Sequence, residues 1–193
     1  FRIPKHVSRV EDLLATDIDA VLLCHTDPKS KEAVAAFDAG KHVLVEKPVC
    51  ASLQEADAMI EAMKRSGKVG QAAYMKAHDP AFILAQTEVK GMDFSFIQIN
   101  HLHPSNDLHL KHFNVQYVGS LRDEIRETRH RAYQETIRQA FGDLTDQAEP
   151  ICGITYGLIH DLYSLRNMVG VPSAVVSTEI WKKNRSITSI LEY

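Results

Sequence analysis

No run in this 193-residue chain approaches the roughly 18 apolar residues that a membrane-spanning helix needs, and Phe1-Arg2-Ile3-Pro4 has no signal-peptide pattern. A membrane partner is therefore not expected. Cysteine is scarce: Cys24, Cys50 and Cys152 form an odd set without ligand-like spacing, which excludes a disulfide scaffold and points to a reducing, cytoplasmic setting. Basic charge is not in excess, with 22 Lys and Arg against 25 Asp and Glu, and the basic residues are scattered, so there is no footprint for nucleic acid. The nine glycines nowhere make the G-x-G-x-x-G turn that lets a pyrophosphate approach a helix N-terminus. The chain as given has no phosphate cradle. Internal repeats and low-complexity segments are also missing.

What is there is a globular composition, 45% hydrophobic and 24% charged, in a length that suits one full domain or two small ones. The centre of the pattern is Val43-Leu44-Val45-Glu46-Lys47-Pro48. Its apolar residues predict a strand covered on both faces, and Pro48 forbids Lys47 a helical conformation. Lys47 is thereby held at a strand end.

Upstream, Ala20 to Cys24 reads as a strand that ends at His25-Thr26-Asp27-Pro28, where Asp27 can cap a helix and Pro28 suits its first position. That helix runs to Ala39, and Gly40 is placed to close it in the left-handed conformation. Two strands joined by such a crossover are parallel and right-handed, so their carboxyl ends share the sheet edge at which open α/β sheets bind ligands. The unit repeats: Ser52 and Glu55 form a capping box, Gly67 ends a helix at Ser66, and Val69 to Tyr74 is a third strand. Beyond it, Asp79-Pro80 starts a helix to about Lys90, Phe94 to His101 alternates like a half-exposed strand, and His101 to Gly119 is a histidine-rich loop. Helices are expected from about Ser120 to Phe141 and from Gly153 to Val169, with neighbouring strands at Ala174 to Trp181 and Ser186 to Tyr193. The fold class is α/β: a partial Rossmann-type parallel sheet over 1–75, then an α+β domain with a mainly antiparallel sheet over 76–193. Both termini look cut, with an N-terminal βαβ unit expected to precede Phe1.

Lys47 at a parallel-sheet edge can exchange a proton with a substrate hydroxyl when a bound ligand desolvates it; a solvated lysine after a strand has the same spacing. On the 153–169 helix, Ile154, Leu158, Leu162, Leu165 and Val169 form the predicted core stripe, and Tyr156, His160, Tyr163 and Asn167 lie opposite. These polar aromatics either line a cleft for a hydroxylated substrate or form an ordinary exposed face. His101, His103, His109 and His112 lack a cysteine or close acid to complete a metal set, so no metal is expected. Cys24 and Cys50 are predicted to be small buried hydrophobes.

The string Ala39-Gly40-Lys41-His42-Val43-Leu44-Val45-Glu46-Lys47-Pro48, preceded by Asp19-Ala20-Val21 and Thr26-Asp27-Pro28, resembles the Gfo/Idh/MocA family of oxidoreductases (glucose-fructose oxidoreductase and inositol dehydrogenase). The likeness continues through Tyr74-Met75-Lys76-Ala77-His78-Asp79-Pro80 and Leu165-Arg166-Asn167-Met168-Val169-Gly170. The resemblance implies hydride transfer between NAD or NADP and a hydroxyl or carbonyl carbon of a sugar, cyclitol or related polyol, in a homo-oligomer assembled through the second domain's sheet. It implies that Lys47 assists proton transfer with His160 in support, and that Cys24, Thr26, Asp27, Glu46, Lys47 and Pro48 lie against the cofactor. Tyr74, Lys76, Tyr156, His160 and Tyr163 would face the substrate. Two departures stand out. Tyr156 and Tyr163 occupy positions where the family usually has acids around its histidine, with Asp161 out of register, and the glycine-rich turn is absent. The alternative implied by the same fold is a non-catalytic dinucleotide-sensing regulator.

Overall fold

The computed structural model describes residues 5–26, 28–102, 107–114, 123–182 and 186–193, the side chains of Leu108 and His109 excepted. The chain divides into two compact units, one of Phe1–Ala73 with Ala132–Thr145 and the other of Tyr74–Arg131 with Asp146–Tyr193.

In the first unit the short helix α1 (Val10–Leu14) precedes strand β1 (Ala20–Leu23), helix α2 (Ser30–Asp38), strand β2 (His42–Val45), helix α3 (Leu53–Ser66) and strand β3 (Gly70–Ala72). The strands are parallel in the order β1-β2-β3, with Leu23 opposite Val45 and Val45 opposite Ala72. Period-two alternation sends Val21, Leu23, Val43 and Val45 to one face, where they pack with Ala33, Ala36 and Phe37 of α2 and Met59 and Ala62 of α3. Leu22 and Leu44 point the other way and are 58% and 36% exposed. The expectation of cover on both faces is therefore corrected. Strands added in sequence order by right-handed crossovers put both connecting helices on the same side of the sheet.

The helix ends follow their local chemistry. Gly40 and Gly67 take left-handed φ values of 71° and 65° at the ends of α2 and α3, where glycine carries no Cβ penalty. Ser52 Oγ accepts from Glu55 N–H at 3.1 Å, as a capping box requires, but Glu55 reaches back to Ala51 N–H at 2.9 Å, one residue before the reciprocal position. At the start of α2 the expected Asp27 cap lies outside the described residues. That helix begins at Ser30, later than Pro28 suggests, and Lys29 precedes it without capping through its side chain.

In the second unit a 3₁₀ turn (Met75–His78) leads to helix α4 (Pro80–Val89), which Asp79 caps by accepting from Ala81 N–H at 2.8 Å. The single turn α5 (Asp107–Leu110) falls within the histidine-rich stretch. Helix α6 (Asp123–Phe141) begins in this unit and ends in the first, and α7 (Thr145–Val169) begins in the first and ends in this one. Strands β4 (Ala174–Trp181) and β5 (Ser186–Glu192) pair antiparallel. Two expectations fail here. Helix α7 starts at Thr145 rather than Gly153 and runs through Pro150; so near the helix start, that proline removes only one early backbone bond. Residues 94–101 form no strand, and Phe94, Phe96, Ile97 and Ile99 are exposed. Apolar alternation is insufficient without a neighbouring strand to take the backbone donors and acceptors. Among the described residues no helix is long and apolar enough to cross a membrane.

Among the described glycines the closest packing is at Gly70, where an added Cβ would meet Phe37 Cζ and Met63 Sδ, both at 2.8 Å. Gly70→Ala is expected to destabilise the chain by about 1–3 kcal/mol, the usual cost of overpacking, read as a lower urea midpoint with an unchanged slope.

Candidate functional site

The parallel ladder continues one residue past the strands, since Glu46 N–H donates to Leu23 O at 2.9 Å and Ala73 N–H to Val45 O at 2.8 Å. Cys24, Glu46 and Ala73 therefore share the carboxyl edge of the sheet. There the chain makes the Glu46-Lys47-Pro48 turn with a cis Lys47–Pro48 peptide. Glu46 Oε2 accepts from Lys47 N–H at 2.8 Å, so the carboxylate is turned back on its own backbone. From the other side Lys29 Nζ donates to Pro48 O at 2.8 Å, and Lys29 is only 1% exposed. A buried ammonium thus anchors the turn that carries Lys47. Lys47 itself is half-buried, and its own ammonium makes no hydrogen bond or ion pair among the described residues.

Sequence reasoning singled out Lys47 and missed Lys29. A lysine between a proline and a helix start has the signature of a surface residue; its burial shows only once the crossover brings residue 48 beside it. Of the other strand-end candidates, Glu46 and Pro48 are half-buried and Cys24 and Thr26 exposed, while Asp27 lies outside the described residues. The exposure of Cys24 corrects its expected burial. Cys50 is partly buried; desolvation first, and the Glu55 charge second, push its thiol upward, which disfavours a nucleophilic thiolate.

In the second unit the candidates gather on α7. Tyr163 is 6% exposed whereas Leu162 is 44% exposed, so the predicted core and polar faces are exchanged at this turn. The physical reason is that Tyr163 can be buried without an orphaned hydroxyl. Its ring stacks on Tyr74 at 4.4 Å between centroids and 13° between planes. Its oxygen accepts from Lys76 N–H at 3.2 Å and lies 2.8 Å from His160 Nδ1. Tyr74, Lys76, His160 and Tyr163 are thus brought together, Lys76 through its backbone. Tyr156 is half-buried on the same helix. Asp161, out of register on the helical pattern, binds His101 Nδ1 through Oδ2. His103 lies outside the described residues, and no group of three or more His, Cys, Asp and Glu side chains gathers among the described residues.

A family model described as an oxidoreductase family with an NAD-binding Rossmann fold matches residues 1–74. That description is of the Gfo/Idh/MocA family, to which residues 1–74 are similar. The chain is similar to 1,5-anhydro-D-fructose reductase of Ensifer adhaerens, with 42% identity over 69 residues, covering 35% of this chain and 21% of the relative. It is also similar to scyllo-inositol 2-dehydrogenase (NAD(+)) of Bacillus subtilis, with 34% identity over 73 residues, or 37% and 21% of the two chains. The match therefore spans about a fifth of these relatives' length. Among solved structures, an NAD-binding protein from Listeria innocua aligns with a TM-score of 0.41 at 28% identity, over 45% of this chain and 25% of that one.

The stretch that the family model matches carries the three-stranded parallel sheet. Exposed Cys24 and Thr26, with Glu46, Lys47 and Pro48 beside them, offer a surface at the edge where such sheets bind ligands. The start of α3 is filled by its own chemistry: Glu55 accepts from Ala51 N–H and, at 2.7 Å, from Ser30 Oγ at the start of α2. An acid already occupies that helix terminus, which therefore does not fit a pyrophosphate.

Lys29→Met keeps the length of the side chain but leaves the half-buried Pro48 carbonyl without this donor. The expected cost is about 1–3 kcal/mol, measured by urea unfolding of the chain. A change below the error of the measurement would show that the anchor is dispensable.

Proposed function

We propose that the protein is a cytoplasmic oxidoreductase that moves hydride between NAD or NADP and the CH–OH carbon of a sugar, cyclitol or related polyol. The observation that carries this reading is the placement of Lys47 at the carboxyl end of the central parallel strand, with the turn around it anchored by Lys29. The bound nicotinamide supplies the hydride acceptor or donor. Lys47 Nζ takes the substrate hydroxyl proton when the alcohol is oxidised and returns one to the oxygen when the carbonyl is reduced. Lys47 is half-buried at this strand end. Cys24, Thr26, Asp27, Glu46 and Pro48 contact the cofactor in this proposal. Tyr74, Lys76, Tyr156, His160 and Tyr163 bind substrate hydroxyls, with His160 supporting the proton transfer.

The relatives' names support a small hydroxylated substrate, and because the likeness spans about a fifth of their length the substrate is named only by class. Self-association through β4 and β5 belongs to the same proposal; Val176, Trp181 and Ile190 on these strands are exposed. One observation favours a second reading, a dinucleotide-sensing regulator: a phenol, not a carboxylate, stands beside His160.

Turnover assays of the full-length protein with NAD or NADP against sugars and inositols separate the two. Lys47→Met is expected to lower kcat by about 10²–10⁴-fold, the usual contribution of a general acid-base group; a full-length protein that binds NADH yet turns over none of these substrates supports the regulator. Because the 193-residue sequence contains no glycine-rich turn, this chain alone is expected to bind NADH or NADPH poorly. Micromolar affinity in a fluorescence titration would overturn that expectation.

A further inference from the structure

The proton arrangement around Tyr163 can be counted atom by atom. A backbone N–H can only donate, so at the Lys76 contact of 3.2 Å the phenol oxygen is the acceptor. The second polar neighbour of that oxygen among the described residues is His160 Nδ1 at 2.8 Å. If Nδ1 carried a hydrogen, it would donate to the same oxygen, and the phenol's own hydrogen would have no acceptor there. If Nδ1 is bare, the O–H donates to it, and the phenol both accepts from Lys76 N–H and donates to Nδ1. Buried hydroxyls take the arrangement that satisfies them, and Tyr163 is 6% exposed. The ring has little freedom to turn away, because it is stacked on Tyr74 at 4.4 Å and meets the His160 ring edge-on, with centroids 5.6 Å apart and planes at 77°.

We infer that Tyr163 is a positioning residue that donates its hydroxyl hydrogen to His160 Nδ1 and so holds His160 in the neutral tautomer protonated at Nε2. A carboxylate in the same place would do the reverse: having no hydrogen to give, it would accept from Nδ1–H and favour an unprotonated Nε2 or an imidazolium. The Tyr163 position thus determines whether Nε2 presents a donor or a lone pair. Burial, and in smaller part the Asp161 charge, push the phenol upward against the opposing Lys76 hydrogen bond, so the oxygen keeps the hydrogen this arrangement needs. Within the proposed function, His160 then binds a substrate oxygen by donating to it, and proton abstraction falls to Lys47. That consequence rests on the proposed function; the tautomer does not.

The test is nitrogen NMR of the full-length protein labelled with ¹⁵N-histidine, at neutral pH and without substrate or cofactor, with His160→Gln to assign the resonances. The expected spectrum has an unprotonated Nδ1 and a protonated Nε2. Tyr163→Phe, which preserves the stacked ring, is expected to release the lock and move both resonances toward the average of mixed tautomers. Tyr163→Asp is expected to invert them, with Nδ1 protonated. A protonated Nδ1 in the unsubstituted protein, or a Tyr163→Phe spectrum identical to it, overturns the inference. The unsubstituted protein and the Phe variant decide the matter even where the Asp variant fails to fold. Since no turnover is measured, absence of dehydrogenase activity would defeat the proposed function and leave this result standing.

Discussion

The structure around the strand ends depends on one buried charge finding a partner. An ammonium removed from water costs several kcal/mol unless it is hydrogen-bonded, and Lys29 at 1% exposure satisfies this need in part through the Pro48 carbonyl. That bond joins the start of α2 to the turn after β2, elements connected in space only because β1 and β2 are parallel and in register. The same corner is tied a second time by Ser30 and Glu55, which link the starts of α2 and α3. A proton-transferring group benefits from such a mount, because reacting groups must be held to a fraction of an ångström by supporting contacts. Lys47 can remain without a hydrogen bond of its own among the described residues because its backbone is held by its neighbours.

Legibility in the sequence followed the range of the interactions. The three parallel strands and the helices between them are written in local signals: apolar runs, the Ser52 cap, and Gly40 and Gly67 at left-handed closures. Each signal acts within a few residues, and all agree on one topology. The failures are non-local. Residues 94–101 alternate like a strand yet form none, since a strand exists only where another accepts its hydrogen bonds. Leu22 and Leu44 promise a covered face that the two right-handed crossovers leave bare.

The candidate site was harder to read than the fold for the same reason. Lys47 stood out because a proline follows it, whereas nothing beside Lys29 announces burial. On α7 the hydrophobic pattern ranks Leu162 above Tyr163, and the structure buries the tyrosine. A tyrosine's preference depends on whether its oxygen finds partners, and those partners, Lys76 and His160, lie 87 and 3 residues away. The more distant one is invisible to helical periodicity. The pairing of His101 with Asp161, 60 residues apart, is likewise absent from any local pattern.

The tyrosine beside His160 sets the electrostatics of this turn of α7 as well as its hydrogen bonds. A carboxylate beside an imidazole lowers the cost of placing a positive charge on the ring; a neutral phenol leaves that cost in place. The acid that remains, Asp161, is engaged with His101 rather than with His160. Neither of these contacts places a carboxylate on His160 Nδ1. In the first unit a lysine stands at the strand end with its ammonium unpaired among the described residues. The polar contact that sets the hydrogen-bonding direction of His160 Nδ1 is the one with its neighbour Tyr163.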